Sequence, residues 1–381
     1  MVRRSTALAL TLLGASSVAA CGSDGAASSA AAPQAPNAET APRTAAEATP
    51  AATSAPTAKA AQSSTPSTIA KKLQVPWGVA FLPGGDALVS ERTTGRILRV
   101  PEGGGTPKVA MRVPGVKTDA GEGGLLGLAV SKSYAKDKLV YAYFTSSRDN
   151  RIVRFKLGGT PKVIFSGIES AQIHNGGRLA FGPDGKLYVG TGDAGDMSNA
   201  QNRRSPNGKI LRLNPSGSIP SSNPFRGSPV WSLGHRNVQG LAFDKSGRLW
   251  APEFGQNTFD EVNLIAKGKN YGWPEVEGRG TGGGRFVSPK VVWRTSDSSP
   301  SGAAIVGSNL FVGALAGRRL WKVPLKGTSV GKPQKLLDGD YGRLRSPAAA
   351  PDGSLWVTTS NRDGRGSPTG DDDRILRLAG P

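Results

Sequence analysis

Six times between Pro76 and the C-terminus the chain repeats one pattern: an apolar run, a turn built on Gly or Asp, a second apolar run, a polar loop and, in most copies, a third run rich in Arg, Ile and Leu. The copies begin at Phe81 (FLPGGDALVSERTTGRILRV), Leu128, Phe181 (FGPDGKLYVGTGDAG, with KILRL after it), Phe243, Ala304 and Ala350 (APDGSLWVTTS, with RILRL). Their spacing of roughly 45 to 65 residues is the period of a four-stranded propeller blade. Apolar and polar residues alternate within the runs, PDG or SG bounds them, and no long stretch shows helical i, i+3, i+4, i+7 spacing. One such sheet cannot bury both of its faces, whereas neighbours stacked around an axis can. The expected fold is therefore all-β, a six-bladed β-propeller of four-stranded antiparallel blades, with loops from distant parts of the chain converging at one end of the axis.

The N-terminal part has a different composition. Arg3 and Arg4, the apolar stretch Ala7 to Val18 and the small residues Val18-Ala19-Ala20 read as a lipoprotein signal peptide over residues 1–20. Cys21 follows at once and is the single cysteine, so it forms no internal disulfide. Its setting resembles the lipobox of bacterial lipoproteins, which implies lipidation of Cys21, export, and anchoring at the outer face of the cell membrane. The rest of 21–70 is nearly all Ala, Ser, Thr, Pro and Gly, too poor in apolar surface to offset its ordering entropy, and reads as a flexible, disordered linker. The propeller is expected over residues 71–381.

A formal net charge of +20 raises the question of nucleic acid. Export argues against that partner, and the arginines are scattered rather than gathered on one helix or aromatic platform. A small anionic ligand suits such a chain better. The chain has two histidines, His174 in IHNGGR and His235 in GHRNVQG, both where strand-like runs break into glycine-bearing loops beside arginine and amide side chains. Imidazole titrates near neutrality, which makes the pair the first candidates for proton chemistry.

Six strings in order, PWGVAFLP from Pro76, GEGGLLGLA from Gly121, IHNGGRLAFGPDGKLYVGTGD from Ile173, GHRNVQGLAF from Gly234, DEVNLIAKGKNYGWP from Asp260, and GRLRS with PDGSLWV near the end, resemble the soluble aldose sugar dehydrogenases that use pyrroloquinoline quinone (PQQ), the glucose and sorbosone dehydrogenase family. The resemblance spans almost all of 71–381. It implies oxidation of aldose sugars at the anomeric carbon to lactones, with PQQ and Ca²⁺ as cofactors and an external electron acceptor that it does not name.

Residue by residue, His174 matches the family's general base and Asp193 the aspartate behind it, which holds the tautomer and stabilises the imidazolium. Arg236 and Asn237 match the pair that bonds the reacting quinone oxygens, where a fixed cation stabilises developing negative charge. His235 is expected to support this loop. Arg343 and Arg345, alternating across Leu344, match the arginines that bind PQQ carboxylates. Glu122 stands where glucose-oxidising members have an active-site glutamine, and Ala316 near where they have a PQQ-contacting lysine. The carbonyls of Gly255 and Gln256 match the ligands of a Ca²⁺ touching the cofactor, with Gln256 in place of a proline found in some members. A structural Ca²⁺ is implied near Glu261 and the Tyr271 carbonyl. Tyr271 and Trp273 are candidates to border the cleft, and Asp371 to Asp373 read either as another hard-oxygen site or as a solvated acidic turn. Two other readings fit the architecture: a Ca²⁺-dependent lactonase or hydrolase, and a sugar-binding lipoprotein without turnover.

Overall fold

The computed structural model describes residues 65–381. The signal peptide, Cys21 and residues 21–64 of the expected linker lie outside the described residues. Six antiparallel sheets follow one another along the chain, five of them built from consecutive strands. Their innermost strands are Pro76–Phe81, Leu125–Val130, Leu179–Phe181, Ala242–Phe243, Pro300–Val306 and Leu344–Ala349. The six sequence copies coincide with the six blades, and helix is confined to the short turns Tyr134–Asp137, Ser198–Gln201 and Thr295–Asp297.

Two details differ from expectation. The propeller begins before residue 71, because Ser67–Ala70 pairs with Ile375–Leu378 (Ser67 with Arg377, Thr68 with Leu376) and supplies the outermost strand of the last blade. The ring is thus closed by joining its two ends in one sheet. The fifth blade carries an extra short strand: Gln334–Leu336 and Ser329–Val330 both pair with Arg319–Lys326.

Six buried apolar clusters accompany the six blades, each spanning neighbouring blades. Leu88 and Ile97 of the first blade pack with Leu128 and Val140 of the second, and Trp293 of the fourth stacks on Trp321 of the fifth with ring centroids 5.0 Å apart. The last cluster joins Ile69, Trp356 and Ile375 to Val89 and Leu98, so the ring-closing strand is part of the seam between last and first blades. This is the burial that a single blade cannot achieve.

Near the axis the inner strands approach so closely that backbone meets backbone. A Cβ on Gly127 would lie 2.1 Å from the Gly177 carbonyl oxygen, and one on Gly302 2.8 Å from Cα of Ser346. Glycine at these points lets the inner strands crowd the axis, and that brings the loops at one end within reach of one another.

Candidate active site

The chain enters the inner strand of the third blade through a tight turn. His174 has φ +57°, followed by Gly176 and Gly177 at +62° and +108°. A non-glycine residue held at positive φ is strained by about 1–3 kcal/mol and persists only where its surroundings fix it. Here the His174 N–H donates to Oε2 of Glu122 at 3.0 Å, its carbonyl accepts from Ala194 N at 3.2 Å, and a Cβ on Gly192 would strike that carbonyl at 1.8 Å. The turn places His174 Nδ1 2.7 Å from Oδ1 of Asp193. Asp193 is fully buried; Oδ1 also accepts from Gly195 N at 2.8 Å, and Oδ2 accepts from Trp273 Nε1 at 2.9 Å. A carboxylate placed in this way accepts a hydrogen bond from Nδ1–H and so leaves the free lone pair on Nε2.

Arg236 and Asn237 follow the outermost strand of the same blade, Val230–Leu233. The Arg236 N–H donates to Oε1 of Glu253, and its guanidinium lies 5.5 Å from the Trp273 ring centroid. Its Nε is buried with no protein partner. Burial lowers its pKa from the usual guanidinium value, against the pull of Asp193 and Glu122. Asn237 Oδ1 accepts from Gly176 N at 3.0 Å, tying this loop to the His174 turn. His235 is wholly buried, with Nδ1 2.7 Å from Glu253 Oε2, Nε2 2.8 Å from Ser232 Oγ and its ring stacked on Tyr271 at 4.9 Å. It supports the loop, as expected.

These groups meet in a cavity of about 400 Å³ whose walls include Glu122, His174, Arg236, Asn237, Gly255, Gln256 and Arg343. That volume lies within the range of small-molecule sites. An adjoining hollow of about 350 Å³ shares Glu122 and Arg343 and adds Arg92, Arg345 and Asp363. Arg343 and Arg345 both reach Oδ2 of Asp363, at 3.0 and 3.2 Å. Arg92, 7% exposed, has a buried Nε without a partner. Burial, with Arg92 close by, pulls the Arg345 pKa down to about 10. Arg343 and Arg345 thus share one buried carboxylate, and Arg92 beside them reaches only the Asp363 backbone carbonyl, at 3.4 Å; buried cations gathered in this way are unfavourable unless an anion completes the cluster. At the mouth, Arg365 pairs with Glu122 at 2.9 Å.

Residues 73–376 match the family model described as Glucose / Sorbosone dehydrogenase. The chain belongs to this family. Glucose/sorbosone dehydrogenase relatives include the aldose sugar dehydrogenase YliI of Escherichia coli, 29% identical over 77% of this chain and 89% of that one. Quinoprotein glucose dehydrogenase B of Acinetobacter calcoaceticus is 37% identical over 55% of this chain and 52% of its own length. Among solved structures, the PQQ-bound form of aldose sugar dehydrogenase from Streptomyces coelicolor superposes with a TM-score of 0.79 at 53% identity, over 82% of this chain and 96% of that one.

The residues singled out from the glucose/sorbosone dehydrogenase resemblance separate into two groups. Glu122, His174, Arg236, Asn237, Gly255, Gln256 and Arg343 face one cavity, with Ala316 on its wall and Arg345 in the adjoining hollow. Glu261 and Tyr271 instead line a separate void of about 10 Å³ beside Glu253. That is room for a single water-sized particle. Burial, with Glu253 as a like-charged neighbour, pushes the Glu261 carboxyl up to about 8. Space and charge there suit one cation, although Gly278 N and Asn263 Nδ2 already donate to the two Glu261 oxygens.

Tyr271 does not border the cleft. It is 3% exposed, and its hydroxyl donates to Leu264 O and accepts from Ala266 N. Trp273 serves Asp193 and Arg236 rather than the open cleft. The Asp371–Asp373 turn is divided: Asp371 is solvated and pairs with Lys71 at 2.7 Å, whereas Asp372 and Asp373 are buried and bonded to Thr369, Arg374, Thr359 and Asn361. Among the described residues no cluster of three or more His, Cys, Asp or Glu side chains is placed to hold a metal. The Gly255 and Gln256 carbonyls, however, accept no hydrogen bond from the described residues, and both residues line the cavity, as suits oxygens left free for a hard cation. Sequence reasoning missed Arg92, Asp363 and Glu253. Arg92 in SERTTGR and Asp363 in NRDGRG are charged residues of glycine-containing loops, and nothing local distinguishes an axial loop from a peripheral one.

Proposed function

We propose that the protein oxidises aldose sugars at the anomeric carbon to lactones, with PQQ in the cavity next to His174. The observation that carries this reading is the buried His174–Asp193 pair beside one cavity whose adjoining hollow, joined to it through Glu122 and Arg343, holds the guanidinium cluster. A base and a polyanion site side by side suit abstraction of a hydroxyl proton next to an anionic cofactor.

PQQ, when bound, supplies the hydride acceptor. His174 Nε2 takes the proton of the sugar's anomeric hydroxyl, and Asp193 holds the ring and stabilises the charge it gains. Arg236, with its unpartnered Nε, and Asn237 provide donors where negative charge develops. Arg92, Arg343 and Arg345 hold carboxylates through charge-assisted bonds. The Gly255 and Gln256 carbonyls would hold a Ca²⁺, and Glu261 with the Tyr271 carbonyl would hold a second, structural one. Export and a lipid anchor on Cys21 place this chemistry at the outer face of the membrane.

The test is reconstitution with PQQ and Ca²⁺ followed by dye reduction over a panel of aldoses. Reduction with at least one aldose is expected. No reduction, together with cleavage of lactones or esters, would transfer the site to hydrolysis, and sugar binding without turnover would leave a binding protein. For the anchor, Cys21→Ser should release the protein from the membrane fraction, and unchanged fractionation would contradict it.

A further inference from the structure

We infer that Glu277 is a positioning residue that aims the carbonyls of Gly255 and Gln256 into the cavity; the inference rests on the calcium reading above. A single oxygen, Glu277 Oε1, accepts from four successive backbone N–H groups: Gln256 at 2.9 Å, Asn257 at 3.1 Å, Thr258 at 2.9 Å and Phe259 at 3.0 Å. In a planar trans peptide the C=O and N–H point in opposite directions. The N–H of Gln256 shares its peptide plane with the Gly255 carbonyl, and the N–H of Asn257 with the Gln256 carbonyl. Pinning both N–H groups on Glu277 therefore turns both carbonyls away from it. Glu277 lines the small void, Gln256 lines the large cavity, and Gly255 stands between them and borders both.

The loop is built around that oxygen. A Cβ on Gly255 would lie 2.6 Å from Glu277 Oε1 and 1.8 Å from the Phe259 carbonyl oxygen, so only glycine fits. Gln256 supplies an N–H that proline would lack. The same segment carries Trp273, which holds Asp193, so one stretch of chain sets both the base and the carbonyl pair.

The experiment titrates PQQ into the full chain with and without Ca²⁺, following bound-quinone absorbance, for wild type, Glu277→Ala and Glu277→Gln, and measures amide hydrogen exchange over 256–259. In Glu277→Ala the Ca²⁺-dependent gain in PQQ affinity should fall about tenfold, the loss of a charged hydrogen-bond acceptor. Calcium-free affinity, which the arginines provide, should hold, and the four amides should exchange faster. Glu277→Gln, which keeps the shape and a neutral acceptor, should lie between and serves if the alanine variant does not fold. A wild type indifferent to Ca²⁺ overturns the calcium reading and the inference with it. A responsive wild type matched by its Glu277 variants overturns the inference alone.

Discussion

Trp273 donates its indole N–H to Oδ2 of Asp193 at 2.9 Å from eighty residues away in sequence, while Oδ1 of the same carboxylate holds His174 at 2.7 Å. The relay behind the base thus spans two blades, and its far end is an aromatic side chain with no titration of its own. Trp273→Phe keeps the ring beside Arg236 and removes this bond. A hydrogen bond to a charged group is worth about 1.5–3 kcal/mol, so kcat should fall roughly tenfold to a hundredfold with PQQ affinity nearly unchanged. Steady-state kinetics beside a PQQ titration check this, and an unaltered kcat would detach Trp273 from the relay.

The closure of the ring makes a prediction about where the folded unit starts. A chain beginning at residue 71 lacks Ser67–Ala70 and leaves the Ile375–Leu378 edge and the cluster around Trp356 open. Burial of Ile69 alone is worth about 1.5–3 kcal/mol, so this chain should melt earlier than one beginning at residue 65. Equal denaturant midpoints would contradict the closure.

That boundary also shows what the sequence could and could not convey. Apolar alternation and PDG turns are local signals, so they marked all six blades. His174 was marked by its glycine-bearing loop, and Asp193, Arg236 and Arg343 by the family resemblance; the ring brings them to neighbouring loops. The strand Ser67–Ala70 is four residues long, continues a Ser/Thr/Ala composition and acquires its identity only by pairing three hundred residues away, beyond any local pattern. Arg92 and Asp363 escaped notice for the same reason, since their meaning is set by which loops share the axis. Tyr271 was misplaced because an aromatic beside a cleft motif reads alike whether it faces solvent or stacks on His235.

Asp363 is the single buried carboxylate bonded to both Arg343 and Arg345. Burial raises its carboxyl, but Arg345 and Arg343 outweigh burial and hold it below its ordinary value of 3.8. The folded state therefore binds this proton less tightly than the unfolded one. The stability it contributes is present above about pH 4 and is lost as the pH falls through the depressed folded value. Asp363→Asn should cost about 3–5 kcal/mol near neutrality and flatten the acid limb of the unfolding profile. A variant as stable as wild type at pH 7 would contradict the pairing.

Arg92 adds a cation that Arg343 and Arg345 already oppose, with an Nε that no protein group satisfies. Its use lies in an anion. Arg92→Ala should weaken PQQ binding by about tenfold or more, the worth of a charge-assisted bond, while the PQQ-free protein keeps its melting temperature. An unchanged PQQ titration would remove Arg92 from the cofactor site.

The central claim is that His174 takes the sugar's proton next to a bound quinone, and single-turnover spectroscopy of the PQQ-loaded protein tests it most directly. The wild type should show the quinone spectrum convert to the reduced form on adding an aldose. His174→Ala, with PQQ bound to the same level, should convert about a hundredfold to ten-thousandfold more slowly. Conversion at the wild-type rate in His174→Ala, or no conversion in the wild type with any aldose, would contradict the account.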